Sequence, residues 1–196
     1  MHQILSGIRV LELGQLIAGP FAAKTLADFG AEIIKVESPQ EGDPLRKWRM
    51  IHEGTSVWWQ AQSRNKQSIC IDLRVKEGQD IVRRLAKEAD VLIENFRPGT
   101  MEKWGLGYDE CLTKKFPQLI YCGISGFGAT GPLGGMPGYD AVLQAMCGLM
   151  SINGDAQSGP MRTGIPIVDI VTGYNAFAGI TMALLARARI GHGQRI

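Results

Sequence analysis

The feature that most restricts this chain is a strand, a helix and a second strand packed into its first forty residues. Ile8 to Leu13, IRVLEL, is a β-branched run stopped by Gly14. Phe21 to Phe29 is rich in Ala and Leu and closes at Gly30, and Glu32 to Glu37, EIIKVE, returns to strand character. Such a unit joins two parallel strands through a crossover helix, and a parallel sheet is covered on both faces. The alternation continues. Ser68–Leu73, Val91–Glu94 and Leu119–Ile124 read as further strands. Helices are expected over Val57–Gln62, over Val75–Ala89 with Ile81, Val82, Leu85 and Ala86 on one face, at Met101–Trp104 and Tyr108–Lys115, over Tyr139–Met150, and through Ile165–Arg189. Ser38–Thr55 reads as a long polar connection. The expected fold is α/β, a doubly wound, mostly parallel, Rossmann-like sheet forming one large domain over 1–196. Ligands then bind beyond the carboxyl ends of the strands, where Gln15, Glu37, Leu73, Asn95 and Ser125 all fall.

Charge and cysteine usage narrow the function classes. Lys plus Arg total 21 against 19 for Asp plus Glu, too even a balance for a nucleic-acid or membrane-surface protein. Cys70, Cys111, Cys122 and Cys147 are scattered, with only His2, His52 and His192 to accompany them. Neither a metal site nor a disulfide framework is expected, and free thiols in a reducing, cytoplasmic setting are. The start, MHQILSGIRVLEL, lacks the pattern of a secretory signal. Gly126-x-Gly128-x-x-Gly131 matches a dinucleotide fingerprint literally, but Pro132 and more glycines follow where a helix should begin, so turns are expected there.

One carboxylate stands out. Asp169 sits among Ile165, Ile167, Val168, Ile170 and Val171, and the segment stays apolar around most of its circumference through Leu185, as in a buried core helix. Its length approaches that of a membrane span, but Asp169, Tyr174, Asn175 and two threonines interrupt it. Gly164 and Pro166 mark a helix entry, so Asp169 lies near the positive end of the helix dipole. Two readings stay open: a helix-start carboxylate that satisfies backbone N–H groups, or an ionised nucleophile in a dry pocket. Arg97 and Lys103 beside the fourth strand, and Arg46, Lys47 and Arg49 in the long loop, are singly solvated cations. Together, beside aromatic residues, they suit a ligand with phosphates and an aromatic base.

The segments LSGIRVLELGQLIAGPFAAKTLADFGAEIIKVESP, SRNKQSICIDLR, VLIENFRPGTMEKWGLGY, YCGISGFGATGP, PGYDAVLQAMCGLM and GIPIVDIVTG, with the closing GHGQRI, resemble the family III CoA-transferases. That family includes formyl-CoA, carnitine and related dicarboxylate CoA-transferases, with α-methylacyl-CoA racemases as relatives. The resemblance runs over essentially the whole chain and puts Asp169 at the position of the family's nucleophilic aspartate. It implies contacts to coenzyme A at Gln15, Ile17 and Ala18, at Ile71, Asp72, Leu73 and Arg74, at Asn95, Phe96 and Arg97, at Lys103, and at Pro137, Gly138, Tyr139 and Asp140. Ser38 departs from a basic residue common after the Val-Glu pair, and a nearby arginine is expected to substitute.

What the resemblance implies is transfer of CoA from an acyl-CoA donor to a carboxylic acid, through an aspartyl mixed anhydride and an aspartyl-CoA thioester. It implies no metal, and an interlocked homodimer. Racemase relatives carry His where this chain has Tyr139. Phenol, with a pKa of ~10, is a poor base for α-proton exchange, so a transferase is expected over a racemase. Family members are considerably longer, and this chain resembles their N-terminal portion. The expectation that follows is a chain that by itself binds CoA, associates, and turns over little; an inactive CoA-binding fragment is the competing reading.

Overall fold

The computed structural model describes residues 3–196, the side chains of Glu110 and Cys111 aside, so readings that touch Met1, His2 and the Cys111 thiol lie outside it. In chain order come β1 (Arg9–Glu12), α1 (Ala18–Asp28) and β2 (Glu32–Glu37), a 3-10 turn at Pro44–Lys47, and a small hairpin of β3 (Ile51–His52) and β4 (Thr55–Ser56). Then follow α2 (Val57–Ser63), β5 (Lys66–Cys70), α3 (Lys76–Lys87), β6 (Val91–Glu94) and α4 (Thr100–Lys103). A π-helical turn at Tyr108–Leu112 leads into α5 (Thr113–Lys115) and β7 (Ile120–Gly123). Last are α6 (Asp140–Met146), a 3-10 turn at Leu149–Ile152, a second hairpin of β8 (Gly154–Asp155) and β9 (Gly159–Pro160), and α7 (Ile167–Ile190).

Five strands form one parallel sheet in the order β5-β2-β1-β6-β7. Chain order thus runs outward from β1 in one direction, then returns to its other side. Val10 lies opposite both Ile33 and Val91, and Leu11 opposite both Ile34 and Leu92. Alternate residues feed two cores, as a sheet covered on both faces requires. Val10, Ile33, Val91, Ile93 and Ile120 meet α1 and α7, while Leu11, Val36, Leu92 and Tyr121 meet α3 and the segment around Leu106 and Leu112. The α/β, doubly wound expectation holds.

Helices α1 and α7 pack closely because small residues face each other. A Cβ on Gly173 would stand 2.9 Å from the Ala18 carbonyl oxygen and 2.9 Å from the Phe21 ring, so only glycine fits. Beyond it Ala176, Ile180 and Ala183 continue the buried stripe. Full burial of Ile180 alone contributes roughly 1.5–3 kcal/mol.

Several boundaries differ from those the sequence indicates. The third strand of the sheet is Lys66–Cys70, not Ser68–Leu73, because its partner β2 ends at Glu37, which pairs with Cys70. Ile71–Arg74 therefore follow the strand, and the Asp72 carboxylate turns the chain by accepting from the Arg74 N–H at 2.9 Å. The Ser38–Thr55 connection holds a capped turn and β3. The helix expected over Tyr139–Met150 stops at Met146, because Gly148 takes a left-handed φ of 81°. Helix α7 is not buried all round: Val171, Tyr174, Met182 and Leu185 are each about half exposed or more. By length and composition it could cross a bilayer, yet one of its stripes packs on α1.

Candidate active site

The strand order reverses between β1 and β6, and the crevice outside their carboxyl ends is where doubly wound sheets hold ligands. Asn95, one residue past β6, locks its two sides together. Its Oδ1 accepts from the Gln15 N–H at 2.7 Å, and its Nδ2 donates to the Gln15 carbonyl at 2.8 Å.

Two clefts open from this junction and share Gln15 and Phe96. The first runs from Gln15 past Asn95, Phe96 and Arg97 to Ser125, Gly126 and the Met136–Tyr139 segment. The second runs from Gln15 past Glu37 and Ser38 to Ile71, Asp72, Leu73, Arg74 and Trp104. Their volumes, about 260 and 180 Å³, are each below that of a usual ligand cavity. Phe96 stands edge-on to Trp104 between them, at 5.1 Å.

The cations are placed unequally. Arg97 is exposed and makes no ion pair among the described residues. Arg74 is bound to Asp72 through two bonds of 2.9 and 2.8 Å, which hold that carboxyl down at about 2. Arg46 is likewise bound to Glu37 at 2.7 and 2.8 Å. Lys103 is exposed on α4 and lines neither cleft. Ile17 and Ala18 are buried at the start of α1, Ile17 against Leu45 and Trp59.

Asp169 does not line either cleft; Asp140 ties it to the first. The Asp140 Oδ1 accepts from the N–H groups of Val168 at 2.8 Å and Asp169 at 3.3 Å, so it caps α7 from the start of α6. Its Oδ2 accepts from Gln144 Nε2 at 2.5 Å. Gln144 is fully buried, and its Oε1 accepts from the Thr163 N–H at 2.8 Å, fixing the loop that enters α7. Burial, and then the Asp140 carboxylate, push the Asp169 carboxyl up to about 6. The helix start therefore does not hold it in the ordinary aspartate range. At pH 7 the ionised form is still the favoured one.

Trp104, Met136, Gln144 and Glu94 were not singled out from the sequence. Glu94 ends β6 and accepts from Phe96 N–H at 2.9 Å and Tyr121 Oη at 3.1 Å, and burial raises it to about 7. The only local signal for it was a carboxylate ending a buried strand. The glycine cluster after β7 forms turns, and a Cβ on Gly126 would lie 2.5 Å from the Gly138 Cα, so two backbones touch there. His52 and His192 lie in neither cleft. Among the described residues no group of three or more His, Cys, Asp or Glu side chains is arranged to hold a metal ion. Cys70, Cys122 and Cys147 are free thiols.

Residues 5–196 match the model of CoA-transferase family III. The succinyl-CoA–D-citramalate CoA-transferase of Chloroflexus aurantiacus is 49% identical over 191 residues, 97% of this chain and 47% of that protein. The succinate–glutarate CoA-transferase of Agrobacterium fabrum is 45% identical over 98% of this chain and 50% of its own length. A crystal structure of a CAIB/BAIF family protein from Brucella suis superposes with a TM-score of 0.94 at 45% identity, over all of this chain and 53% of that one. The chain thus spans about half the length of the relatives it matches.

Proposed function

The chain belongs to CoA-transferase family III, and from that premise we propose that it carries the CoA-binding crevice and the nucleophile of an enzyme moving CoA from an acyl-CoA donor to a carboxylic acid. The observation that carries this reading is Asp169, a half-buried carboxylate at the start of α7, joined through Asp140 to a cleft lined by Gln15, Asn95, Arg97 and Tyr139. Both relatives named above are CoA-transferases of small dicarboxylic acids, so the proposed donor is succinyl-CoA and the proposed acceptor another dicarboxylate.

A free carboxylate acylates poorly, and covalent catalysis keeps the activation of the thioester through the exchange. An Asp169 oxygen attacks the donor thioester carbon, the C–S bond breaks with its electrons on sulfur, and a mixed anhydride forms. The CoA thiolate attacks the aspartyl carbonyl of that anhydride, releasing the donor acid and leaving an aspartyl-CoA thioester. The acceptor carboxylate attacks this thioester, the thiolate leaves again, and its attack on the acceptor carbonyl of the second anhydride frees Asp169. Both intermediates hydrolyse, so the site has to exclude water. Arg97, which makes no ion pair among the described residues, is the cation proposed for a CoA phosphate, and Phe96 and Trp104 for apolar contact between the clefts. Assembly as a homodimer and a cytoplasmic setting belong to this proposal, the latter supported by the free thiols at Cys70, Cys122 and Cys147. A racemase would need a base near neutrality at the Tyr139 position, and a phenol is a poor one, which favours the transferase reading.

The test is trapping. Incubation with succinyl-CoA followed by hydroxylamine should convert Asp169 to its hydroxamate, located by peptide mass spectrometry, and Asp169→Asn should abolish both the label and transfer to glutarate. Label on another residue, or transfer by the Asn variant, would sink the assignment.

A further inference from the structure

Beneath the crevice lies a set of charges that the transfer chemistry does not use. Glu12, Lys35, Asp43 and Lys66 are two acids and two bases whose side chains are at most 2% exposed. The Lys35 ammonium donates to Glu12 Oε1 at 2.8 Å and to the Gly14 carbonyl at 2.8 Å, and it stands 2.9 Å from Asp43 Oδ2. Lys66 reaches Glu12 Oε2 at 2.8 Å and the Pro20 carbonyl at 2.8 Å. Lys66–Glu12 and Lys35–Asp43 have the angles of ion pairs rather than of aligned hydrogen bonds. Burial opposes charge on Glu12 and Lys35, yet their partners' charges hold the Glu12 carboxyl below and the Lys35 ammonium above the usual ranges, while burial leaves Lys66 lowered. The formal charges of the four sum to zero. Apolar side chains in place of such a cluster often leave stability unchanged or higher, so stability is a weak reason for its presence.

What the cluster grips is the turn after β1. Lys35 holds the Gly14 carbonyl, Asn95 holds both backbone groups of Gln15, and Asp43 Oδ1 accepts from the Leu16 N–H at 3.1 Å. Every backbone polar group from the Gly14 carbonyl to the Leu16 N–H is thus engaged. Leu16 has φ 61°, the left-handed region that crowds the Cβ of any residue but glycine. A residue stays there only when its surroundings over-determine it. Asp43 is itself anchored: its N–H donates to Glu37 Oε2 at 2.8 Å, and its Oδ1 also accepts from Leu45 N–H at 2.9 Å.

We propose that Asp43 is a positioning residue for the ligand site, its Oδ1 clamping Leu16 in its left-handed turn so that Gln15 is presented to both clefts. The proposal rests on the reading of those clefts as the CoA site, but the clamp has a readout of its own.

Single removal of Asp43 strands a buried ammonium, so the test compares two charge-balanced doubles. Lys35→Met/Asp43→Asn keeps an acceptor for the Leu16 N–H, and Lys35→Met/Asp43→Leu does not. Both leave the Glu12–Lys66 pair neutral. Amide exchange at Leu16, followed by NMR on the full chain, and CoA affinity by calorimetry are then measured. The Asn double should keep Leu16 protected and bind CoA within a few-fold of the parent. The Leu double should exchange at Leu16 at least tenfold faster and bind CoA at least tenfold more weakly. Equal exchange or equal affinity in the two doubles overturns the proposal. If neither double folds, the parent decides: a protected Leu16 amide supports the clamp, and an unprotected one overturns it. A parent that binds no CoA refutes the reading of the clefts, and exchange at Leu16 alone then judges the clamp.

Discussion

At the scale of single residues, the acid–base state of Asp169 governs what can be measured. Its carboxyl lies at about 6, because burial and then Asp140 oppose its charge. The attacking form is the ionised one, so transfer should fall as pH drops through about 6. Asp140→Asn removes the second cause, and the acid limb should move to lower pH; a limb that stays in place would show that Asp140 does not reach Asp169. The same shift has a sign for stability. A carboxyl whose folded value is raised contributes fully below its unfolded value near 3.8 and loses that contribution as pH rises through about 6. Asp169→Asn should therefore gain on the parent between pH 4 and pH 7, by about 1–2 kcal/mol after allowance for solvent, in urea titrations at the two values. Arg97 offers a separate measurement. Loss of a charge-assisted bond to a phosphate should weaken CoA binding by roughly 1.5–3 kcal/mol in Arg97→Ala, and unchanged affinity would return Arg97 to the solvated surface.

Between elements, α6 holds α7, and Gln144 is the link. Gln144→Met keeps the volume and deletes the bonds to Asp140 and Thr163, so transfer should fall about tenfold or more, while CoA affinity stays within a factor of two because Gln144 lines neither cleft. Parallel losses in both would mean that α6 supports the whole crevice. No local pattern announced this role, because a Gln on a short helix reads the same whether it faces water or a neighbouring loop. Other features were legible. Glu32–Glu37 and Val91–Glu94 form strands with the bounds their β-branched runs indicate, and topology alone carried Gln15 and Asn95 to one crevice. The third strand slipped by two residues at its start, since pairing with β2 rather than local propensity sets its register. The hairpins at Ile51–Ser56 and Gly154–Pro160 are too short to carry a period, and Trp104 joins the second cleft only through the tertiary fold.

At the scale of the whole molecule, α7 explains both its apolar sequence and its exposure. Gly173, Ala176, Ile180 and Ala183 lie along one side, covered by α1 and the sheet. Val171, Tyr174, Met182 and Leu185 recur at helical spacing along the opposite side, where each is about half exposed or more. A helix with two opposed apolar stripes looks apolar all round in sequence, which is why burial on every side was the expectation. Contiguous apolar surface of this kind drives association in water. The 196-residue chain should therefore sediment above the monomer mass, increasingly so with concentration. Met182→Lys with Leu185→Lys should shift it toward monomer without loss of CoA affinity, since neither residue lines a cleft. A chain that stays monomeric at every concentration, with the outer stripe intact, would show that this face is tolerated by water as it stands.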